Sequence, residues 1–105
     1  MRILAIDDDV ALGRSLQIHL TRAGHDVEVV HTVSDGLGHL VRGEYDLAFV
    51  DLNLPDGTGL DILARLRDLR HNTLVVMITG VQDSKSTIEA LRLGAFDFIR
   101  KPLDL

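Results

Sequence analysis

Asp7, Asp8, Asp51, Thr79 and Lys101 are the residues whose types and positions could do chemistry together. Each closes or follows a short apolar run: RILAI at 2–6, DLAFVDL at 46–52, LVVMI at 74–78 and FDFI at 96–99. Asp51 interrupts a run that is otherwise nearly continuous, and an apolar strand gains nothing from a carboxylate at its end. If the three carboxylates meet, their repulsion raises the pKa of at least one of them. Lys101 supplies one positive charge and a divalent ion two more, so the set balances at zero. All-oxygen donors with open positions favour a hard ion that keeps waters, magnesium rather than zinc. Such a site suits phosphoryl transfer, which is catalysed chiefly by positioning and charge stabilisation. A carboxylate can itself be the nucleophile, giving an aspartyl phosphate. The metal and Lys101 would hold two phosphoryl oxygens, and the Thr79 hydroxyl would donate to a third.

For these groups to meet, the apolar runs must lie side by side with their carboxyl ends together. The intervening segments allow this. Leu12, Leu16, Leu20 and Ala23 recur at helical spacing from Val10, with Asp9 as N-cap and Gly24 as the stop. DVEVV at 26–30 reads as a strand. Ser34 is placed to cap a helix running to about Arg42, although Gly36 and Gly38 inside it each cost roughly 1 kcal/mol relative to Ala. NLPDGTG at 53–59 is turn chemistry, and Leu60, Leu63, Leu66 and Leu69 mark a third helix. Asp83 or Ser84 then caps a helix carrying Ile88, Leu91 and Ala95, with Gly94 near its stop. Five strands alternating with four helices predict βαβ units, a parallel sheet and helices on both faces. Ligands bind such sheets beyond the carboxyl ends of the strands, where the polar set lies.

Composition narrows the rest. The 105 residues predict one domain, 1–105, and the aromatic share of 4% means a core of Leu, Ile, Val and Ala. There is no cysteine, which excludes disulfides and thiolate chemistry. A net charge of -5, with no long Lys/Arg cluster, argues against direct nucleic-acid binding. MRILAIDDD is neither a signal peptide nor a membrane span, so a cytoplasmic location is expected. The acidic residues comprise 13 Asp and 3 Glu, a bias towards caps, loops and metal sites. The five histidines lack ligand spacing and are expected at the surface.

IDDD at 6–9, VDLNLPDGTG at 50–59, MITG at 77–80 and DFIRKP at 97–102 resemble, in order and spacing, the motifs of the receiver domain of bacterial two-component response regulators. The likeness covers essentially the whole chain. It implies a doubly wound, flavodoxin-like sheet of order 2-1-3-4-5, with Asp51 as phospho-acceptor and a sensor histidine kinase as donor. It also implies Mg²⁺ held by Asp7, Asp8, Asp51 and the Asn53 backbone carbonyl, Asp7 largely through water. Thr79 and Lys101 would bind the phosphoryl group, and Phe98 would be a switch residue whose rotamer follows Thr79. The family's usual cis bond before the matching proline, here Lys101-Pro102, would aim the lysine inward. The MITG and GAFDFIRKP segments resemble receivers of transcriptional activators, including enhancer-binding ones. Such a domain is an acceptor that assists its own phosphorylation and dephosphorylation, not a multiple-turnover enzyme.

Two departures matter. Only Leu103, Asp104 and Leu105 follow Pro102, where the family adds a fifth helix. The expectation is a fragment of a longer regulator, lacking its C-terminal effector domain, or a patch covered by a partner such as a second copy. Asn53 and Val81 stand two positions after Asp51 and Thr79, and Val81 can only shield the acyl phosphate from water, which predicts a long-lived phospho-form. An aspartyl-phosphate phosphatase of the haloacid-dehalogenase type is the enzyme alternative. It usually wants a second Asp where this chain has Asn53. A receiver-like module signalling without phosphate is the other alternative, weakened because no member of the acceptor set is missing.

Overall fold

A computed structural model of the chain describes residues 1–80 and 83–105. Five strands form the main sheet: β1 (Arg2–Ile6), β2 (Asp26–Val30), β3 (Leu47–Asp51), β6 (Leu74–Thr79) and β7 (Asp97–Arg100). All are parallel, in the order β2-β1-β3-β6-β7, the expected doubly wound arrangement. Period-2 alternation divides the side chains between the two faces. Leu4, Ala48, Val50, Val75 and Met77 point to one face, where Leu40, Ile62, Leu63, Leu66 and Ala90 from three helices complete the larger core. Ala5, Phe49 and Ile78 point to the other, under Leu12, Leu16 and Leu20. Among the described residues there is no fifth helix on that second face; Phe49 is half-buried there and Ile99 is exposed.

Local chemistry fixes the helix boundaries. Helix α1 (Val10–Arg22) starts where Asp9 Oδ1 accepts from Leu12 N–H at 3.1 Å. It stops at Gly24, whose φ of +94° is a conformation most residues avoid, while His25 N–H bonds back to the Leu20 carbonyl. Helix α2 (Val33–Arg42) begins earlier than expected. Thr32, not Ser34, is its cap, because Thr32 is extended and its hydroxyl accepts from Asp35 N–H at 3.0 Å. Asp56 caps the same helix from outside, accepting from Val33 N–H at 2.7 Å and Ser34 N–H at 3.1 Å. Those bonds hold the Asp56 carboxyl below its ordinary value of 3.8.

The segment expected to be a turn is a minimal antiparallel hairpin, β4 (Asn53–Leu54) with β5 (Gly57–Thr58). It feeds α3 (Gly59–Asp68), where Asp61 reaches back to Thr58 N–H at 2.9 Å. Leu74 proves half exposed at 49%, so β6 is buried only from Val75 onward, and β7 begins at Asp97 rather than Phe96. Helix α4 (Ser84–Arg92) follows Asp83, but no side-chain bond from Asp83 caps it. No helix among the described residues is long and apolar enough to cross a membrane.

Gly59 allows α3 to start against the end of β3. A Cβ there would collide with Met77 Cε and would lie 2.8 Å from the Asp51 carbonyl oxygen and 3.1 Å from Val50 Cγ1. A backbone oxygen cannot step aside. Gly59→Ala should therefore cost about 1–3 kcal/mol of stability in urea titration; an unchanged midpoint would mean that α3 can back away from the strand. Asp56 gives a pH signature. A depressed folded-state pKa means that its stabilisation is complete above 3.8 and fades as pH falls through the lower folded value. The melting-temperature gap between wild type and Asp56→Ala should be widest near neutrality and narrow in more acidic buffers.

Candidate functional site

Each strand end delivers one part of the site. Asp7 follows β1, and its N–H extends the ladder to the Val30 carbonyl at 3.1 Å. Its side chain is fully buried: Oδ1 accepts from Asp9 N–H at 2.8 Å, while Oδ2 has no hydrogen-bond partner. Asp51 ends β3 with only 3% exposure. Its Oδ1 accepts from Asn53 N–H at 3.2 Å and its Oδ2 from Lys101 Nζ at 3.0 Å. Lys101 follows β7 across the sheet, its N–H bonded to the Thr79 carbonyl at 2.8 Å and its ammonium 3.6 Å from Asp7 Oδ2. The Lys101-Pro102 bond is cis. Asp8 stands exposed at the rim, and one oxygen each from Asp7, Asp8 and Asp51 lies within 4.8 Å of the others.

Two nearly dry carboxylates beside each other strain the electrostatics of the site. Burial raises the Asp7 carboxyl from 3.8 to about 6; the neighbouring Asp51 adds to the rise, while Asp9 N–H and Lys101 oppose it. Burial also works against the charge on Lys101. The bond to Asp51 and the fields of Asp7, Asp51 and Asp8 outweigh it, so the ammonium is held above its ordinary value. Three carboxylates against one ammonium leave two negative charges uncompensated. An unpartnered buried oxygen on Asp7, facing a cluster of other oxygens, is the donor set that a hard divalent cation takes.

Thr79 ends β6, fully buried, with its hydroxyl also lacking a hydrogen-bond partner. The preceding residue, Ile78, pairs with Asp51, so Thr79 lies one step beyond the register of Asp51. Phe98 is not part of the cluster. From β7 it pairs with Met77 of β6, packs half-buried against the larger core, and carries the Arg100 guanidinium 5.5 Å from its ring centre. Val81, expected to shield the site, lies outside the described residues.

Some features were not anticipated from the sequence. His31 is half-buried rather than at the surface, and its Nδ1–H donates to the Asp7 carbonyl at 2.8 Å. Its place directly after the β2 run was the available signal. Asp83 and Arg100 both bond to Gly80, a link no spacing rule predicts. A surface hollow of about 390 Å³ lies at the opposite ends of the strands, between Gly43–Tyr45 and Leu69–Thr73, away from this chemistry.

Residues 3–105 match the family described as the response regulator receiver domain. The chain is 36% identical to the response regulator protein PilR of Pseudomonas aeruginosa over 99% of its own length and 23% of that protein's. It spans about half or less of the curated relatives it matches, 46% in the case of the transcriptional regulatory protein DltR of Streptococcus agalactiae, to which it is 32% identical over 99% of its own length. Among solved structures, a CheY-like receiver domain protein from Methanospirillum hungatei superposes with a TM-score of 0.92 at 33% identity, over 98% of this chain and 82% of that one. A response regulator protein from Burkholderia pseudomallei, solved with a phosphorylated aspartic acid, a calcium ion and citrate, gives 0.89 at 27% identity, over 98% and 61%.

The raised carboxyl of Asp7 makes a testable cost. A folded-state pKa above the unfolded one means that stability falls as pH rises from 3.8 towards 6, and that the full penalty applies above 6. In chelator, Asp7→Asn keeps the acceptor for Asp9 N–H and should exceed wild type by roughly 1–3 kcal/mol above neutrality. The advantage should vanish near pH 4; a gap independent of pH would contradict the assignment.

Proposed function

The chain belongs to the response regulator receiver family, and on that premise we propose that Asp51 is the residue that takes the phosphoryl group, from a phosphohistidine of a sensor kinase. The observation that carries this reading is the pairing of a nearly buried Asp51 carboxylate with Lys101 at 3.0 Å inside an acidic cluster. An Asp51 carboxylate oxygen attacks phosphorus in line. The new P–O bond forms as the P–N bond breaks, and the imidazole nitrogen leaves with its electron pair. Lys101 then holds an oxygen of the transferred group, and the unpartnered Thr79 hydroxyl donates to another.

Asp7, Asp8, Asp51 and the Asn53 backbone carbonyl would hold Mg²⁺, which when bound offsets the two surplus negative charges and those that develop on the phosphoryl oxygens. The calcium ion and phosphorylated aspartic acid of the Burkholderia relative support both parts of this reading. Phosphorylation replaces one negative charge at Asp51 with nearly two. Thr79 is drawn towards the new oxygens, and Phe98, half-buried beside Met77, is free to repack. The result is a population shift between two packings, read by an effector domain of the longer regulator. In this reading the domain works in the cytoplasm and is an acceptor, not a turnover catalyst. A haloacid-dehalogenase-type phosphatase is disfavoured because Asn53 stands where its general-acid Asp would be.

Incubation with Mg²⁺ and acetyl phosphate should add one phosphoryl group, mapped by mass spectrometry to Asp51. Labelling that persists in Asp51→Asn would sink the acceptor assignment. Mg²⁺ alone should raise the melting temperature of wild type, and Asp8→Asn should blunt that rise.

A further inference from the structure

Asp83 occupies the N-cap position of α4, yet its carboxylate makes none of the bonds that position offers. Oδ2 instead accepts from Gly80 N–H at 2.7 Å and lies 3.4 Å from the side-chain amide of Asn53. Both donors belong to the rim of the acidic site: Gly80 follows Thr79, and Asn53 stands two residues beyond Asp51. A single half-buried carboxylate thus ties the end of β6 to the loop after β3. Gly80 is held through its carbonyl too, which accepts from Arg100 Nη1 at 3.2 Å. That guanidinium also lies over the Phe98 ring.

We propose that Asp83 is a positioning residue with two alternative sets of partners, the rim donors before phosphorylation and the first turn of α4 after it. The proposal rests on Asp51 being the acceptor. An N-cap Asp ordinarily accepts from backbone N–H groups two or three residues into the helix, here Lys85 and Ser86, and the helix dipole favours a negative charge there. While Asp51 is unmodified, Asp83 has the Gly80 and Asn53 donors to itself. A phosphoryl group on Asp51 is a stronger acceptor for them and repels the Asp83 carboxylate. Asp83 then moves to the vacant N–H groups of α4, and no covalent bond of its own changes. Arg100 carries the displacement onward, because the cation that holds the Gly80 carbonyl is the one stacked on Phe98.

The full chain and its Asp83→Ala and Asp83→Asn variants, given Mg²⁺ and acetyl phosphate, test this through two readouts. The rate of Asp51 labelling should rise about three- to tenfold in Asp83→Ala, the effect of losing one charge-assisted bond that restrains the rim. Amide hydrogen exchange over residues 84–87 should slow on phosphorylation in wild type and in Asp83→Asn, which keeps a capping oxygen, but not in Asp83→Ala. Equal or slower labelling of Asp83→Ala, or the same gain in protection in Asp83→Ala, would overturn the proposal. If Asp83→Ala does not fold, Asp83→Asn decides the rate question, since it lacks the charge that strengthens the bonds to the rim donors. A wild-type chain left unlabelled at Asp51 would overturn the acceptor reading and this one together, whereas a labelled wild type with unaffected variants would overturn this one alone.

Discussion

The ion pair between Lys101 and Asp51 is the constraint to which the rest of the molecule answers. Two carboxylates with almost no contact with water are tolerable only because an ammonium lies 3.0 Å from one and 3.6 Å from the other. The pair leaves a surplus of negative charge, and with it a binding appetite for cations. Without Lys101, both buried carboxylates would lose the ammonium that offsets their charge. With more positive charge, the cluster would have no use for a metal. The parallel sheet exists at this end to bring that one lysine past β6 to β3.

The hairpin after Asp51 is held in a similar way. Asp56 clips it to α2, Asp61 to α3, and Gly59 lets α3 press against the strand that carries Asp51. These are short contacts between backbone and carboxylate, so the loop has few ways to relax. The bias towards Asp over Glu makes sense here: a short side chain reaches its own or a neighbouring backbone and little else.

The five strands and four helices were legible because apolar runs and helical spacing are local patterns, and the cluster was legible because strand ends in a parallel sheet share one edge. What was not legible depended on contacts between segments. Ser34 read as the cap that Thr32 in fact supplies, because the chain's entry from β2 sets which residue is extended ahead of the helix. Asp83 read as a helix cap because sequence cannot show that two better-placed donors lie across the loop. The same holds for His31, whose bond to the Asp7 carbonyl joins residues 24 apart.

Lys101 stands 50 residues after the carboxylate it neutralises. On a ribosome, every intermediate that ends between Asp51 and Lys101 carries the three carboxylates without that counter-charge, and β7 has yet to dock. The charge balance of the cluster is therefore set late in this domain, when Lys101 and β7 join it, rather than growing with length. Truncation ahead of Lys101 thus removes the neutralising partner while leaving all three carboxylates of the cluster in place.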